Sequence, residues 1–355
     1  MGLVGLRREL EARGWDCAVM NLNENRRIRS PECIDVQSGW DYFQKVLRHV
    51  WRGYAVHVRV NGDAKKGYLL ALAAVVLARL GNRPAFLTYA GGHQQSYFPA
   101  PKGSLRHLAF SALFRVPQRV YCNSEAVKKA ILTTGIASGK VEPIPHFSSY
   151  YVEFSTVPLP LEAENFYRNH EGMFFSYVCF RKEFALGFMA DAMRRFREKF
   201  PRVGFVMAGP PDREIDAMRA FIKEQRIADA VCLLPSVSHD TFLTLMSRSL
   251  AYIRTPMTDG ICSSVMEALT LKIPVLAADN GTRPRGAALW QEGDVEGLLA
   301  LMTQAVTNRA AMVAAIPAIE LEDNAKKLSD SIERVCFPQG HLSPEKLNGA
   351  WDRKS

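Results

Sequence analysis

Thr255-Pro-Met-Thr-Asp-Gly-Ile-Cys-Ser-Ser-Val-Met-Glu-Ala-Leu-Thr-Leu-Lys-Ile-Pro-Val-Leu-Ala-Ala-Asp-Asn-Gly281 reads as a strand end, a glycine turn, a helix start and a second, buried strand. Where a strand feeds a helix through such a turn, free backbone N–H groups and the positive end of the helix dipole face the same side. A diphosphate can sit there without needing a lysine. Asp259 precedes the turn and Glu267 lies about one turn into the helix. Acids make up 36 of 355 residues, so an acid-x7-acid pair recurs by chance in a chain of this length and means little alone. Its context supplies the weight: the pair brackets a glycine turn, its second member opens Glu-Ala-Leu, and Ile-Pro-Val-Leu-Ala-Ala follows.

Outward from this stretch, short β-branched or aromatic runs alternate with amphipathic stretches, the pattern of parallel sheets with helical crossovers. In the first half, strands are expected over 16–22, 54–60, 84–89 and 119–123. Helices over 6–13, 42–51, 67–80, 105–114 and 125–134 separate them. A second series has strands over 174–180, 203–208, 231–234, 250–254 and 274–278, with helices over 185–199, 213–225, 241–247, 263–271 and 295–306. Two consecutive βα series predict an α/β chain of two Rossmann-like domains, 1–150 and 151–322. The stretch 143–172 holds Pro143, Pro145, Pro158 and Pro160 with little periodicity and is the expected linker. Residues 324–335 read as a helix and 340–355 as a polar tail, so 323–355 form a separate C-terminal segment. A Rossmann domain opens with an apolar strand feeding a glycine-containing turn, whereas this sequence opens on Met1-Gly-Leu-Val-Gly-Leu. The first strand of the N-terminal domain is therefore expected to be missing.

Hydrophobic residues at 48% and charged residues at 23% are ordinary globular values and exclude collagen-like and disordered classes. The net charge of +9 is unevenly placed. Residues 1–150 hold 21 basic and 10 acidic residues, net +11, and the rest hold 24 and 26, net −2. A positive half beside a near-neutral half points to something anionic. Nucleic acid is not expected, because no basic motif interleaved with aromatics supports it. The surplus, with Arg26, Arg27, Arg29, Lys102, Arg106, Arg115, Lys128 and Lys129, is either a solvated face or a surface for anionic lipid headgroups. Seven scattered cysteines without C-x-x-C spacing argue for a reducing compartment and against a structural zinc site. With no signal-peptide plan and no apolar run long enough to span a bilayer, a cytoplasmic chain is expected, peripheral at most to a membrane. Gly62-Asp-Ala-Lys-Lys-Gly67 lacks the Gly-x4-Gly-Lys-Ser/Thr pattern of an ATPase loop.

The quoted stretch resembles the retaining family 4 glycosyltransferases of the GT-B fold. These carry Glu-x7-Glu, the second Glu opening Glu-Ala, followed by Gly-x-Pro-Val. The resemblance extends along nearly the whole chain. Thr88-Tyr-Ala-Gly-Gly-His93 looks like the strand that ends in a His-Gly-Gly acceptor loop, and Val120-Tyr-Cys-Asn-Ser-Glu-Ala-Val-Lys-Lys129 like the Ser-containing strand end and its helix. Val141-Glu-Pro-Ile-Pro-His146 is similar to the segment leading into the linker. Val206-Met-Ala-Gly-Pro-Pro211 is similar to the glycine-rich strand end facing the donor phosphates. The resemblance implies two Rossmann-like domains facing a central cleft, and transfer of a sugar from a UDP- or GDP-linked donor to a hydroxyl of a saccharide or lipid-linked acceptor. Such chemistry belongs to cell-surface polysaccharide or glycan assembly and needs no metal or cofactor. The implied donor site comprises Arg181, Lys182, Gly209, Pro210, Asp259, Gly260, Ile261, Cys262, Ser263, Ser264 and Glu267, and the acceptor site Gly91, Gly92 and His93. Asp259 would meet hydroxyls of the transferred sugar and Glu267 those of the ribose, since a carboxylate accepts several hydroxyl hydrogen bonds.

Four departures bear on mechanism. Asp259 is one methylene shorter than the family's Glu, and Lys272-Ile273 stand where the family has Gly-x. Ala90 replaces the loop His, with His93 following the two glycines. The family's Arg and Lys lie about five residues apart on the diphosphate, whereas Arg181 and Lys182 are adjacent and Leu186-Gly187 occupies the region of the second base. Arg181 is the better phosphate ligand, because a guanidinium binds phosphate oxygens bidentately; Lys182 either replaces the missing lysine or is solvated. Charge building on the leaving diphosphate would be met by Arg181, Lys182 and N–H groups near Ser263 and Ser264. The acceptor hydroxyl would attack from the face of departure, since the sequence places no side-chain nucleophile. Base selection is expected around Leu234–His239, and family analogy returns the C-terminal tail to the first domain. Two alternatives share the fold: a catalytically silent nucleotide-sugar-binding subunit and a sugar-nucleotide epimerase.

Overall fold

Runs such as Phe174-Phe-Ser-Tyr177 and Val203-Gly-Phe-Val-Met-Ala208 are apolar on both faces, so they fold as parallel strands covered by helices on either side. The computed structural model describes residues 2–22, 33–61, 65–92, 97–145, 147–148, 152–257 and 262–337. By its contacts the chain forms two units, residues 1–150 with 322–355 and residues 151–321.

The first unit contains α1 (Gly2–Ala12), α2 (Gly39–Trp51), β1 (Val56–Val60), α3 (Lys65–Leu80), β2 (Ala85–Tyr89), α4 (Leu105–Arg115), β3 (Arg119–Cys122), α5 (Glu125–Leu132) and β4 (Val141–Pro143). The strands pair in parallel in the order β1-β2-β3-β4, with Val56 opposite Ala85, Phe86 opposite Arg119 and Val120 opposite Val141. Helix starts are fixed by side-chain oxygens: Ser38, Ser104 and Ser124 accept from the N–H groups of Asp41, His107 and Val127. Alternation sends Leu87, Tyr89, Val120 and Cys122 into one core with Val46, Ala74 and Phe110. Phe86 and Tyr121 point the other way, to Leu6, Leu10 and Ile332. Ile332 belongs to α13 (Asn324–Cys336), which packs on α1. Arg13 binds Asp330 at 2.6 Å and Glu333 at 2.8 Å, and Trp15 Nε1 donates to Glu333 at 3.0 Å.

The second unit contains α6 (Leu161–Asn169), β5 (Gly172–Tyr177), α7 (Leu186–Lys199), β6 (Val203–Ala208), α8 (Asp212–Glu224), β7 (Val231–Leu234) and α9 (His239–Ser247). It continues with β8 (Ala251–Arg254), α10 (Ser263–Thr270), β9 (Val275–Ala278), β10 (Ala287–Trp290), α11 (Val295–Thr307) and α12 (Arg309–Ala314). Six parallel strands run in the order β10-β9-β8-β5-β6-β7. Phe174, Phe205, Ile253 and Leu276 face one core with α7 and α11, and Phe175, Val206, Tyr252 and Val275 the other with α9 and α10.

Several elements depart from expectation. Over 16–22 there is one parallel bridge, Met20 to Ile34, instead of a strand; a strand needs a longer partner for its N–H groups than Ile34 supplies. The expected linker over 143–172 contains α6. Ala163 is its one fully buried residue and Leu161 is exposed, which is why periodicity missed it. β10 is a four-residue strand with a single buried position and carries no alternation to read. The tail over 340–355 and Arg26, Arg27 and Arg29 lie outside the described residues.

Candidate functional site

In the second unit the chain lays down β5, β6 and β7 towards one side and then returns to place β8 against the other flank of β5. Crossovers on the two sides of that reversal diverge, leaving a crevice outside the carboxyl ends of β5 and β8, where open α/β sheets bind ligands. Tyr177 closes β5 and Arg254 closes β8.

Arg254 is 7% exposed, and its guanidinium carbon lies 5.8 Å from the Tyr177 ring centroid and 5.3 Å from that of Phe184. Thr255 Oγ1 donates to the Phe184 carbonyl at 2.6 Å and ties the β8 exit to the β5–α7 loop. Burial holds the Tyr177 hydroxyl above its ordinary range, followed by the bond from the Cys179 thiol, while the charges of Arg254 and Arg181 act the other way. Two guanidiniums therefore act on one strand end. Arg181 and Lys182 are exposed residues of the same loop. The loop closes through a turn over Lys182–Phe184 and through Ala185, held at φ 46° and ψ 45°. A non-glycine residue there carries backbone strain of the kind that collects at ligand loops.

Gly209 follows β6 at φ +119°, and a Cβ on it would stand 2.3 Å from Tyr177 Cε2. Glycine is thus obligatory there, and its backbone lies directly beside Tyr177. The Gly209 carbonyl accepts from Ser236 Oγ at 3.2 Å, and Pro210 leads into α8.

After β8 the chain enters α10 at Cys262, whose side chain makes no capping bond. Ser264 Oγ is held instead by Tyr252 Oη at 2.7 Å and Cys262 Sγ at 3.1 Å, so this hydroxyl braces the helix start against β8. Glu267 is 4% exposed, and its Oε1 lies 3.0 Å from His239 Nε2. An ionised carboxylate only accepts, so the hydrogen is on Nε2. His239 opens α9, after Ser238 caps that helix through the Thr241 N–H. The expected base-selecting loop thus ends on the side chain that fixes the expected ribose carboxylate. Two residues past the end of α10 stands Lys272, at φ 56°, where the resembling family has glycine. Its Nζ donates to the carbonyls of Ile316 at 3.1 Å and Pro317 at 3.0 Å.

In the first unit Gly91 and Gly92 are buried beyond the carboxyl end of β2, and Asn123 Nδ2 holds the preceding Ala90 carbonyl at 3.0 Å. His93, Asp259, Gly260 and Ile261 lie outside the described residues. The structure brings Arg181, Gly209 and Glu267 to the carboxyl edge of the second sheet or its first helical turns. It adds Arg254 and Tyr177, which the sequence reading did not select, and ties His239, expected only as the end of the base-selecting loop, to Glu267. Arg254 had one signal, a charge closing an otherwise apolar run; His239 was named only within the loop expected to select the base, with no sign of its bond to Glu267. Among the described residues no helix is long and apolar enough to cross a membrane.

Residues 168–314 match the model of the glycosyl transferases group 1 family. A glycosyltransferase 1 domain-containing protein 1 of Xenopus tropicalis is 26% identical over 92 residues, which span 26% of this chain and 26% of that protein. The chain therefore matches about a quarter of that relative's length. Among solved structures, HepE of Anabaena in complex with UDP-glucose superposes with a TM-score of 0.59 at 14% identity, covering 81% of this chain and 77% of that one. A UDP-N-acetylglucosamine 2-epimerase superposes at 0.61 and 14% identity, covering 96% and 94%. At these identities the likeness establishes the fold, which is GT-B: two Rossmann-like α/β halves.

Proposed function

We propose that this chain is a retaining glycosyltransferase that takes a sugar from a nucleotide-diphosphate donor and passes it to a hydroxyl of a saccharide or lipid-linked acceptor. The observation that carries the reading is Glu267, buried within the group 1 match one turn into α10 and fixed by His239. A carboxylate held in this way keeps capacity for ribose hydroxyls beyond its bond to the imidazole. The switch point beside it offers two guanidiniums, Arg181 and Arg254, with the Gly209 backbone and the start of α10. These suit a diphosphate without a metal ion, and they would stabilise the charge that grows on it as the sugar leaves. Asp259 is proposed to orient the transferred sugar, and His93 with Gly91 and Gly92 to meet it or the acceptor. UDP is the first nucleotide to test, since HepE carries a UDP-sugar. The net +11 of residues 1–150 supports an anionic acceptor or membrane surface on the first unit.

The second reading, isomerisation of the donor sugar, draws on the likeness to the 2-epimerase over 96% of the chain. Titration calorimetry with UDP-, GDP- and ADP-sugars, followed by product analysis with and without acceptor, separates the two. Nucleotide binding with donor turnover only when acceptor is present supports transfer. Isomerisation without acceptor replaces it with the epimerase reading, and absence of all nucleotide binding removes both. Glu267→Ala is expected to abolish turnover while the melting curve stays cooperative.

A further inference from the structure

α4 carries apolar residues on both its inward and its outward face. Phe110, Leu113 and Phe114 anchor it in the core of the first unit, so its outward face should be polar. Instead Leu105, Leu108, Ala109 and Ala112 share that face at spacings of three and four. Leu105 is 85% and Leu108 59% exposed. Exposed Lys102, Arg106 and Arg115 border it. α3 lies alongside, with the Tyr68 ring edge-on to Phe110 at 4.7 Å. It adds Leu69, 67% exposed, and an exposed Lys66 to the surface of the helix pair.

The charge pattern is selective. Residues 64–124, which contain β2, both helices and the loop between them, hold eight Lys and Arg and not one Asp or Glu. A segment of this length would carry about six acids at the chain's average. A solvated face mixes both signs, whereas a single-sign rim around exposed leucines matches a surface that is anionic outside and apolar beneath. We infer that α4, supported by α3, docks the first unit on an anionic lipid bilayer, its leucines entering the headgroup boundary and its rim binding the lipid charges. The inference deepens the lipid-linked reading of the acceptor given above. Vesicle binding is measured without donor or acceptor, however, so failure here leaves the transfer reading intact.

The test is co-sedimentation of the full chain with vesicles containing phosphatidylglycerol or phosphatidylcholine alone, beside the variants L105S/L108S and R106Q/R115Q. The wild-type chain is expected to bind the anionic vesicles and not the zwitterionic ones. L105S/L108S should lower the partition coefficient about tenfold or more. R106Q/R115Q should lower it and flatten its dependence on salt. Unchanged melting curves and unchanged UDP affinity in both variants would assign these losses to the surface. Failure to bind, equal binding to both vesicle types, or variants that bind like wild type would overturn the proposal. So would a dimer, seen by mass photometry without lipid, that L105S/L108S dissociates, since a second copy would then be the occupant.

Discussion

A guanidinium 7% exposed between two aromatic rings has given up most of its hydration, and Arg254 does so at the switch point where a diphosphate would bring two negative oxygens. Charge-assisted hydrogen bonds of this kind contribute about 1.5–3 kcal/mol each. Arg254→Met is therefore expected to weaken UDP-sugar binding by about one to two orders of magnitude in calorimetry; unchanged affinity in a folded variant would reduce Arg254 to a structural residue. His239 acts through another group. His239→Ala should weaken donor binding severalfold because Glu267 loses its fixed rotamer, and His239→Gln, which keeps an N–H donor, should recover most of the loss. Equal losses in both variants would remove the positioning role. His57 sets a pH limit on the first unit. Its ring packs against Phe86 and Tyr121 and its Nε2 lies 2.8 Å from Thr88 Oγ1; burial, with a smaller contribution from Arg59, lowers its pKa to about 4. The unfolded chain takes up this proton near the ordinary value of about 6.5. Stability is therefore complete above that pH, is lost as pH falls towards 4, and changes no further below it. The loss is on the order of 3 kcal/mol, and urea midpoints for His57→Asn should show a flatter slope than wild type over that window.

At the level of elements, Lys272 illustrates how a helix end can break a backbone preference and compensate for it. Left-handed backbone at a non-glycine residue costs about 1–2 kcal/mol, and the two bonds from its Nζ to Ile316 and Pro317 offset much of that. Lys272→Ala keeps the strain and loses the bonds, whereas Lys272→Gly loses both. The alanine variant is expected to melt lower than the glycine variant, and the opposite order would refute this account. The same helix marks how far sequence carries. The two strands and the helix between them were legible because β8 and β9 are buried on both faces. α6 was not, since it presents only Ala163 fully to the core, and β10 was not, since a four-residue strand repeats nothing. Arg254 was hidden by the same double burial that made β8 readable: an apolar run suggests that its last residue merely ends the strand. His239 and Glu267 are 28 residues apart, and only the packing of α9 beside α10 brings them together.

For the molecule as a whole, the division into two units was legible from length and from two βα series, because each series must bury its own sheet. Family analogy, and no residue pattern, pointed the C-terminal segment to the first unit; what holds α13 there came only from packing, where Ile332 fills the face behind Phe86 and Tyr121 and Arg13 binds Asp330 and Glu333. Among the described residues, two buried clusters lie in the first unit and two in the second. Two folding cores in one chain should give a calorimetric scan that resolves into two transitions. The proposed donor ligands Arg181, Gly209, Arg254 and Glu267 all belong to the second unit, so a nucleotide bound by them stabilises that core directly. At one hundred times its dissociation constant the ligand adds about 2.7 kcal/mol. For a domain of this size that moves the midpoint up by roughly 5–10 °C. UDP should therefore raise one transition by that amount and leave the other where it was, while Arg254→Met should remove most of the shift. A single transition that moves as a unit would mean that the cores unfold together, and a shift unaffected by Arg254→Met would move the diphosphate away from the switch point.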